Sequence, residues 1–272
     1  MRFTKMHGLG NDFIVIARDQ PLSKEDFLLA PTLCNRRLGI GADGVVFILP
    51  SSQADFLMRI INADGSYAEQ CGNALRCAAK YYYETISDEK EILKIETEVG
   101  LQLAWLTVQS GKVTNVRVDM GAPVIQENSK MKIEELVQIE GESFWLTKVS
   151  MGNPHGVVFV EDVTHFPVDK WGPKLETHTL FPQRANIEFV KVRSPQELEV
   201  RVWERGVGRT LACGSGACAS VVAGVLTGRT DRSVTVHLEG GQLEVQWLEN
   251  GHVYMSGPAQ KVFDGWWAKK SV

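Results

Sequence analysis

Apolar and polar residues alternate with a period of two along much of this chain. Leu198-Glu199-Val200-Arg201-Val202-Trp203, Val116-Arg117-Val118-Asp119-Met120 and Val234-Thr235-Val236-His237-Leu238 each read as a strand with one buried face. Val45-Val46-Phe47-Ile48-Leu49 is an unbroken apolar run that also reads as a strand. Ser110-Gly111 and Glu249-Asn250-Gly251 are turn signals that join neighbouring strands as hairpins. Helical stretches are few. The clearest run from Gly72 to about Glu84 and from Gly214 to about Leu226, with Gly228 as a C-terminal stop for the second. That second stretch is so rich in Ala, Gly and Val that it is predicted to be buried nearly all round, as a central helix wrapped by sheet would be.

The pattern occurs twice. At a constant offset of 142 (213 minus 71), Gly10-Asn11 falls on Gly152-Asn153, and Val45-Val46-Phe47-Ile48 on Ile187-Glu188-Phe189-Val190. Met58-Arg59-Ile60 falls on Val200-Arg201-Val202, and Cys71-Gly72-Asn73 on Cys213-Gly214-Ser215. Common apolar residues match by chance, but chance rarely keeps Gly-Asn, Arg and Cys-Gly in one register. The sequence therefore predicts an α+β protein of two pseudo-symmetric domains, each a mostly antiparallel sheet wrapped around a central helix. The expected halves are residues 1–119, joined by the tail 259–272, and residues 120–258, with the first boundary near Gly121-Ala122-Pro123.

Composition removes several function classes. A chain of 272 residues with 44% hydrophobic content can bury one large core or two smaller ones. A net charge of -4 and a pI near 5.9 give no electrostatic reason to expect a nucleic acid or an anionic membrane as partner. No signal peptide and no membrane-spanning run are legible, so the expected location is the cytoplasm. Five cysteines are an odd count, and neither Cys71/Cys77 nor Cys213/Cys218 has zinc-knuckle spacing, so thiols and no metal site are expected. Gly39-Ile40-Gly41-Ala42-Asp43-Gly44 matches the dinucleotide fingerprint letter by letter, yet it precedes a strand where the fingerprint follows one and opens a helix. Nucleotide binding is rejected on that ground.

In each half a polar turn and then Cys-Gly-Asn or Cys-Gly-Ser lead into a helix, which sets a thiol at a helix N-terminus. Unbonded amides and the positive end of the macrodipole there favour a thiolate over a thiol. Gly72 and Gly214, lacking side chains, let a ligand carboxylate approach those amides. The duplication predicts that the two helix starts face each other across a cleft, with one α-carbon between two sulfurs. Inverting a stereocentre needs a proton removed from one face and returned to the other, which two opposed groups of similar pKa can do. Fixed amide donors would stabilise the developing enolate, so no cofactor is required. A lone cysteine is usually a small buried apolar residue. Two at matching helix starts point to catalysis, whereas Cys34, Cys77 and Cys218 are assigned to packing.

At these residues the chain resembles the diaminopimelate epimerase family. Four motifs carry the resemblance: Met6-His7-Gly8-Leu9-Gly10-Asn11-Asp12-Phe13; Asn62-Ala63-Asp64-Gly65-Ser66 through Glu69-Gln70-Cys71-Gly72-Asn73; Gly152-Asn153-Pro154-His155; and Glu204-Arg205-Gly206 through Ala212-Cys213-Gly214-Ser215-Gly216. The resemblance implies interconversion of LL- and meso-diaminopimelate in lysine and cell-wall precursor synthesis by a homodimer, without pyridoxal phosphate or metal. It implies that Cys71 donates and Cys213 accepts the proton in the LL direction, with the roles exchanged in reverse. Asn11, Asn62, Asn153, Asn186 and the pair Glu204-Arg205 match the family's substrate contacts, with Gly72, Asn73, Gly214 and Ser215 at the reacting carboxylate. His155 and Glu204 are implied near the reacting amino group. A second amino-acid end on the substrate needs a cationic fork for its carboxylate, which Arg205 supplies. One position departs: many members carry a substrate-contacting Gln where this chain has Gly44.

Plainer readings stand beside these. The Gly-Asn segments can be simple turns, His155 a satisfied core or turn histidine, and Glu204 the partner of a surface arginine, Arg205 or Arg209. Tyr81-Tyr82-Tyr83 and Trp266-Trp267 are expected in packing or at a dimer surface. A proline or hydroxyproline racemase of related fold would lack a distal carboxylate fork, and a non-catalytic amino-acid-binding protein would have no need of two thiols.

Overall fold

The computed structural model describes residues 1–68, 71–125 and 133–268. The chain divides into two compact units, Met1–Val118 with Gly257–Val272, and Asp119–Ser256. Both are mostly sheet, and among the described residues there are four helices.

The first unit contains β1 (Arg2–Gly8), β2 (Asn11–Ala17), α1 (Lys24–Cys34), β3 (Gly44–Leu49), β4 (Phe56–Asn62), β5 (Tyr67–Ala68), α2 (Gly72–Thr85), β6 (Ile92–Thr97), β7 (Gly100–Gln109) and β8 (Lys112–Asp119). The second contains β9 (Glu134–Ile139), β10 (Glu142–Ser150), β11 (Pro154–Phe159), α3 (Val168–Glu176), β12 (Asn186–Ser194), β13 (Glu197–Glu204), β14 (Gly208–Thr210), α4 (Gly214–Leu226), β15 (Ser233–Leu238), β16 (Gly241–Trp247) and β17 (Val253–Gly257). Adding 142 to Gly72 gives Gly214, and adding it to Asn62 gives Glu204, so helix starts and strand ends coincide between the units. The ladders coincide as well. Neighbours are antiparallel except β2–β3 and β4–β6 in the first unit and β11–β12 and β13–β15 in the second, which occupy equivalent places and are parallel.

One strand breaks the chain order. β18 (Gln260–Trp266) returns to the first unit and pairs antiparallel with β1, as β9 pairs with β10 in the second. The amino group of Met1 donates to Trp267 O at 2.8 Å, and Thr4 Oγ1 to Asp264 Oδ1 at 2.6 Å.

Alternation explains the strands, and burial explains the helices. In β13 the side chains of Leu198, Val200 and Val202 are buried, and Val200 is wholly so. In α4 every residue from Gly216 to Gly224 is buried, as the small apolar composition requires of a helix enclosed by sheet. In α2 the stretch Ala74 to Ala79 is equally enclosed and includes Arg76 at 0% exposure. The helices absent from the sequence reading are α1 and α3, which contain Pro31 and Pro173; α1 also shows weak apolar periodicity. α1 forms because Asp26 at its third position accepts from the Ser23 amide at 2.7 Å, closing the N-terminus. α3 forms because Trp171 and Leu175 pack into the apolar cluster of Phe144, Phe181 and Phe189. No helix among the described residues is long and apolar enough to cross a membrane.

Candidate active site

Each unit has one cysteine at the same structural address within it. Cys71 is the N-cap of α2 and Cys213 the N-cap of α4, both with extended backbone. Their carbonyls accept the first helical bonds, from Leu75 N at 2.9 Å and Ala217 N at 3.0 Å. All five cysteines are thiols outside any disulfide.

Around Cys71 a polar network fixes the side chains. Cys71 Sγ donates to Asn11 Oδ1 at 3.7 Å, and Asn73 Nδ2 donates to the same oxygen at 3.1 Å. Asn11 Nδ2 donates to Asp43 Oδ2 at 2.7 Å, so this amide is held with its oxygen toward the thiol. Asn73 Oδ1 accepts from the buried Arg76 at 2.9 Å, and Arg76 also donates to Pro258 O at 3.3 Å, fixing the start of the tail. Behind Asn11, Arg36 bridges Asp12 and Asp43 at 2.7 Å each, and Lys5 pairs with Asp12 at 2.6 Å. Burial alone would raise the Asp12 carboxyl, but hydrogen bonds from Arg36 and Lys5 bring it down to about 2. Asn62 ends β4 and donates to Ser66 Oγ at 2.9 Å, within its own turn. At Gly44 a Cβ would stand 2.9 Å from Ile61 O, so a larger residue there requires the paired strand to shift.

Around Cys213 the network has opposite polarity. The sulfur accepts from Gly216 N at 3.3 Å and lies 3.5 Å from Ser215 Oγ. Asn153 donates to Ser215 Oγ at 3.4 Å, and its oxygen is 3.0 Å from His155 Nε2. His155 Nδ1 is 2.8 Å from Glu188 Oε1, and both side chains are wholly buried. The helix start was expected to favour a thiolate. Instead, burial pushes the Cys213 thiol well above its ordinary value, and the charges of Glu204 and Glu188 push it further than Ser215 and the Gly216 amide pull it back. Dipole stabilisation is a fraction of a unit charge at the helix end, and desolvation at 7% exposure outweighs it.

Glu204, at the end of β13, accepts from Thr210 Oγ1 at 2.6 Å. Asn186 Oδ1 accepts from the Arg205 amide at 2.9 Å, and its Nδ2 donates to Pro154 O at 3.2 Å. The Arg205 guanidinium is exposed and donates to Gln183 O at 3.4 Å. Arg209, weighed as a partner for Glu204, pairs with Glu239 at 2.7 Å. Thus Asn11, Cys71, Gly72 and Asn73 are together in one unit, and Asn153, His155, Cys213, Gly214 and Ser215 in the other, while Asn186 joins Arg205. Asp43 and Glu188 were absent from the sequence reading. The repeat register carried a signal for Glu188: it stands on Val46, and its partner His155 on Phe13, so an ionisable pair replaces two apolar residues.

Residues 3–126 and 147–262 match the family model for diaminopimelate epimerase. The chain belongs to the diaminopimelate epimerase family. A diaminopimelate epimerase of Pelotomaculum thermopropionicum is 51% identical over 275 aligned positions, covering 97% of this chain and 98% of that one. One from Acetivibrio thermocellus is 50% identical at the same coverage, and one from Methanococcus maripaludis is 44% identical, covering 97% and 99%. Among solved structures, a probable proline racemase from Agrobacterium radiobacter has a TM-score of 0.76 at 16% identity, covering 98% of this chain and 92% of that one. A phenazine biosynthesis protein of the PhzF family from Bacillus anthracis has a TM-score of 0.74 at 16% identity, covering 97% and 98%. These two likenesses are of fold alone.

Proposed function

We propose that this chain epimerises LL-2,6-diaminopimelate to meso-diaminopimelate without a cofactor, using Cys71 and Cys213 as the two proton-transfer groups. The observation that carries the reading is that each repeat caps its enclosed helix with a thiol at an equivalent position. In the LL direction Cys213 takes the α-proton as thiolate and Cys71 returns one from its thiol. A buried sulfur of raised pKa is the stronger base once deprotonated, which suits a weakly acidic carbon acid. Gly72 and Asn73, with Gly214 and Ser215, offer donors to the reacting carboxylate as its carbon becomes enolate-like. His155 and Glu204 serve the reacting amino group. Asn11, Asn62, Asn153, Asn186, Glu204 and Arg205 hold the substrate, Arg205 as the fork for the distal carboxylate. The family resemblance adds a cytoplasmic homodimer to this proposal.

Solvent exchange tests it. Purified protein in D2O with no added cofactor is expected to incorporate deuterium at the α-position of LL-diaminopimelate and not of proline. Exchange into proline alone, or into neither, overturns the reading.

A further inference from the structure

We propose that Glu188 is a positioning residue for Cys213, acting through the proton it shares with His155. The inference rests on the epimerase reading for its purpose, and on the second unit alone for its geometry. Glu188 projects from β12, and His155 from the neighbouring strand β11. Both are at 0% exposure. An amide oxygen only accepts, so with Asn153 Nδ2 directed at Ser215, the ring nitrogen 3.0 Å from Asn153 Oδ1 must carry hydrogen. That leaves one further proton between His155 Nδ1 and Glu188 Oε1, 2.8 Å apart. Whichever atom holds it, the couple is neutral overall. The proton fixes the ring, the ring fixes the Asn153 amide, and that amide presents its N–H to Ser215 beside the thiol.

A second contact runs through the helix. Glu188 Oε1 lies where a Cβ on residue 216 would come within 2.6 Å, directly behind the amide that donates to Cys213 Sγ. The groups facing the sulfur are therefore Glu188 from β12, Glu204 from β13, Asn153 with His155 behind it from β11, and Ser215 and the Gly216 amide from α4. Burial and the two carboxylates raise the thiol, and the α4 donors lower it.

The fold does not require this couple. At the equivalent places the first unit has Val46 and Phe13, both buried, in the same parallel strand pair. Glu188 Oε2 is enclosed without a hydrogen-bond partner among the described residues, an arrangement that costs stability. A buried couple that is dispensable for folding and costly to keep, reaching the thiol by two routes, points to function.

The test uses the full-length chain, Glu188→Gln, and a double variant Glu188→Val/His155→Phe that copies the apolar pair of the other repeat and so keeps a foldable core. Iodoacetamide labelling of Cys213 is followed against pH, with the site read by peptide mass mapping. We expect the midpoint to fall by up to about one pH unit in both variants as the carboxylate end of the couple, which lies behind the Gly216 amide, is removed, and turnover of Glu188→Gln to fall about tenfold or more with KM nearly unchanged. A purely structural Glu188 leaves the midpoint where it is, and an unmoved midpoint in both folded variants overturns the inference. Should the wild-type protein fail to exchange the α-hydrogen of diaminopimelate, the functional reading falls, while the labelling midpoint still judges the couple.

Discussion

Gly216 is held between Cys213 and Glu188: its amide donates to the sulfur at 3.3 Å, and its missing side chain leaves room for the carboxylate. Gly216→Ala gains about 1 kcal/mol in helix propensity. It also drives a Cβ to 2.6 Å from an oxygen of the wholly buried Glu188 carboxylate, an overpacking cost of about 1–3 kcal/mol. Overpacking wins, so the urea midpoint is expected to fall and Cys213 labelling to slow as the amide that favours the thiolate moves off the sulfur. An unchanged midpoint would show that Glu188 can swing away.

Cys71→Ala and Cys213→Ala should each lower epimerisation by at least about 10² to 10⁴-fold, the scale of one lost acid or base. Chiral chromatography of the product measures it directly. Full turnover in either variant would leave the two-base scheme without a partner.

Arg205 is exposed and loosely tethered, which leaves its fork available to a carboxylate. Arg205→Met is expected to raise KM for the two-headed substrate about tenfold or more, the loss of a charge-assisted contact, with a smaller change in kcat. An unaltered KM would remove the distal clamp from the scheme.

Enclosed thiols contribute to the alkaline limb of stability, alongside Tyr67, Tyr81 and Tyr82, which burial also raises. Burial pushes Cys34 up to about 11, Cys77 up to about 12 and Cys213 well above 9.0. The folded state holds these protons more tightly than the unfolded chain, whose thiols release them near 9. Their contribution is complete below that pH and is lost as pH rises through the folded values. Urea midpoints measured from pH 8 to 11 should therefore decline above about 9. Cys34→Ala/Cys77→Ala is expected to flatten the decline.

Much of the fold was legible because its two periods are clean. The alternation of Leu198 to Trp203 marked β13, and the small apolar residues after Gly214 marked α4, with Gly228 in the left-handed region at φ 70 just past its end. α1 was not legible because local capping, not periodicity, stabilises it around an internal proline, whereas in α3 Val168, Trp171 and Leu175 do recur on one face and Pro173 obscured the short period. The cysteines stood out by register. The charge state of Cys213 did not, since desolvation depends on how completely sheet encloses the helix start, which no local motif encodes. Asp43 was passed over inside a glycine-rich stretch that was weighed only as a nucleotide motif, although it is the group that orients Asn11.

The return of β18 to β1 has a consequence for synthesis. The second unit is a continuous stretch of chain, whereas the sheet of the first waits for a strand made after the whole of the second, so that Thr4 meets Asp264 across 260 residues of sequence. Contacts of such separation form late because the loop must close before they contribute. The half made first is therefore finished second, and until its closing strand arrives the open edge of β1 is a place where a nascent chain can pair wrongly with a neighbour.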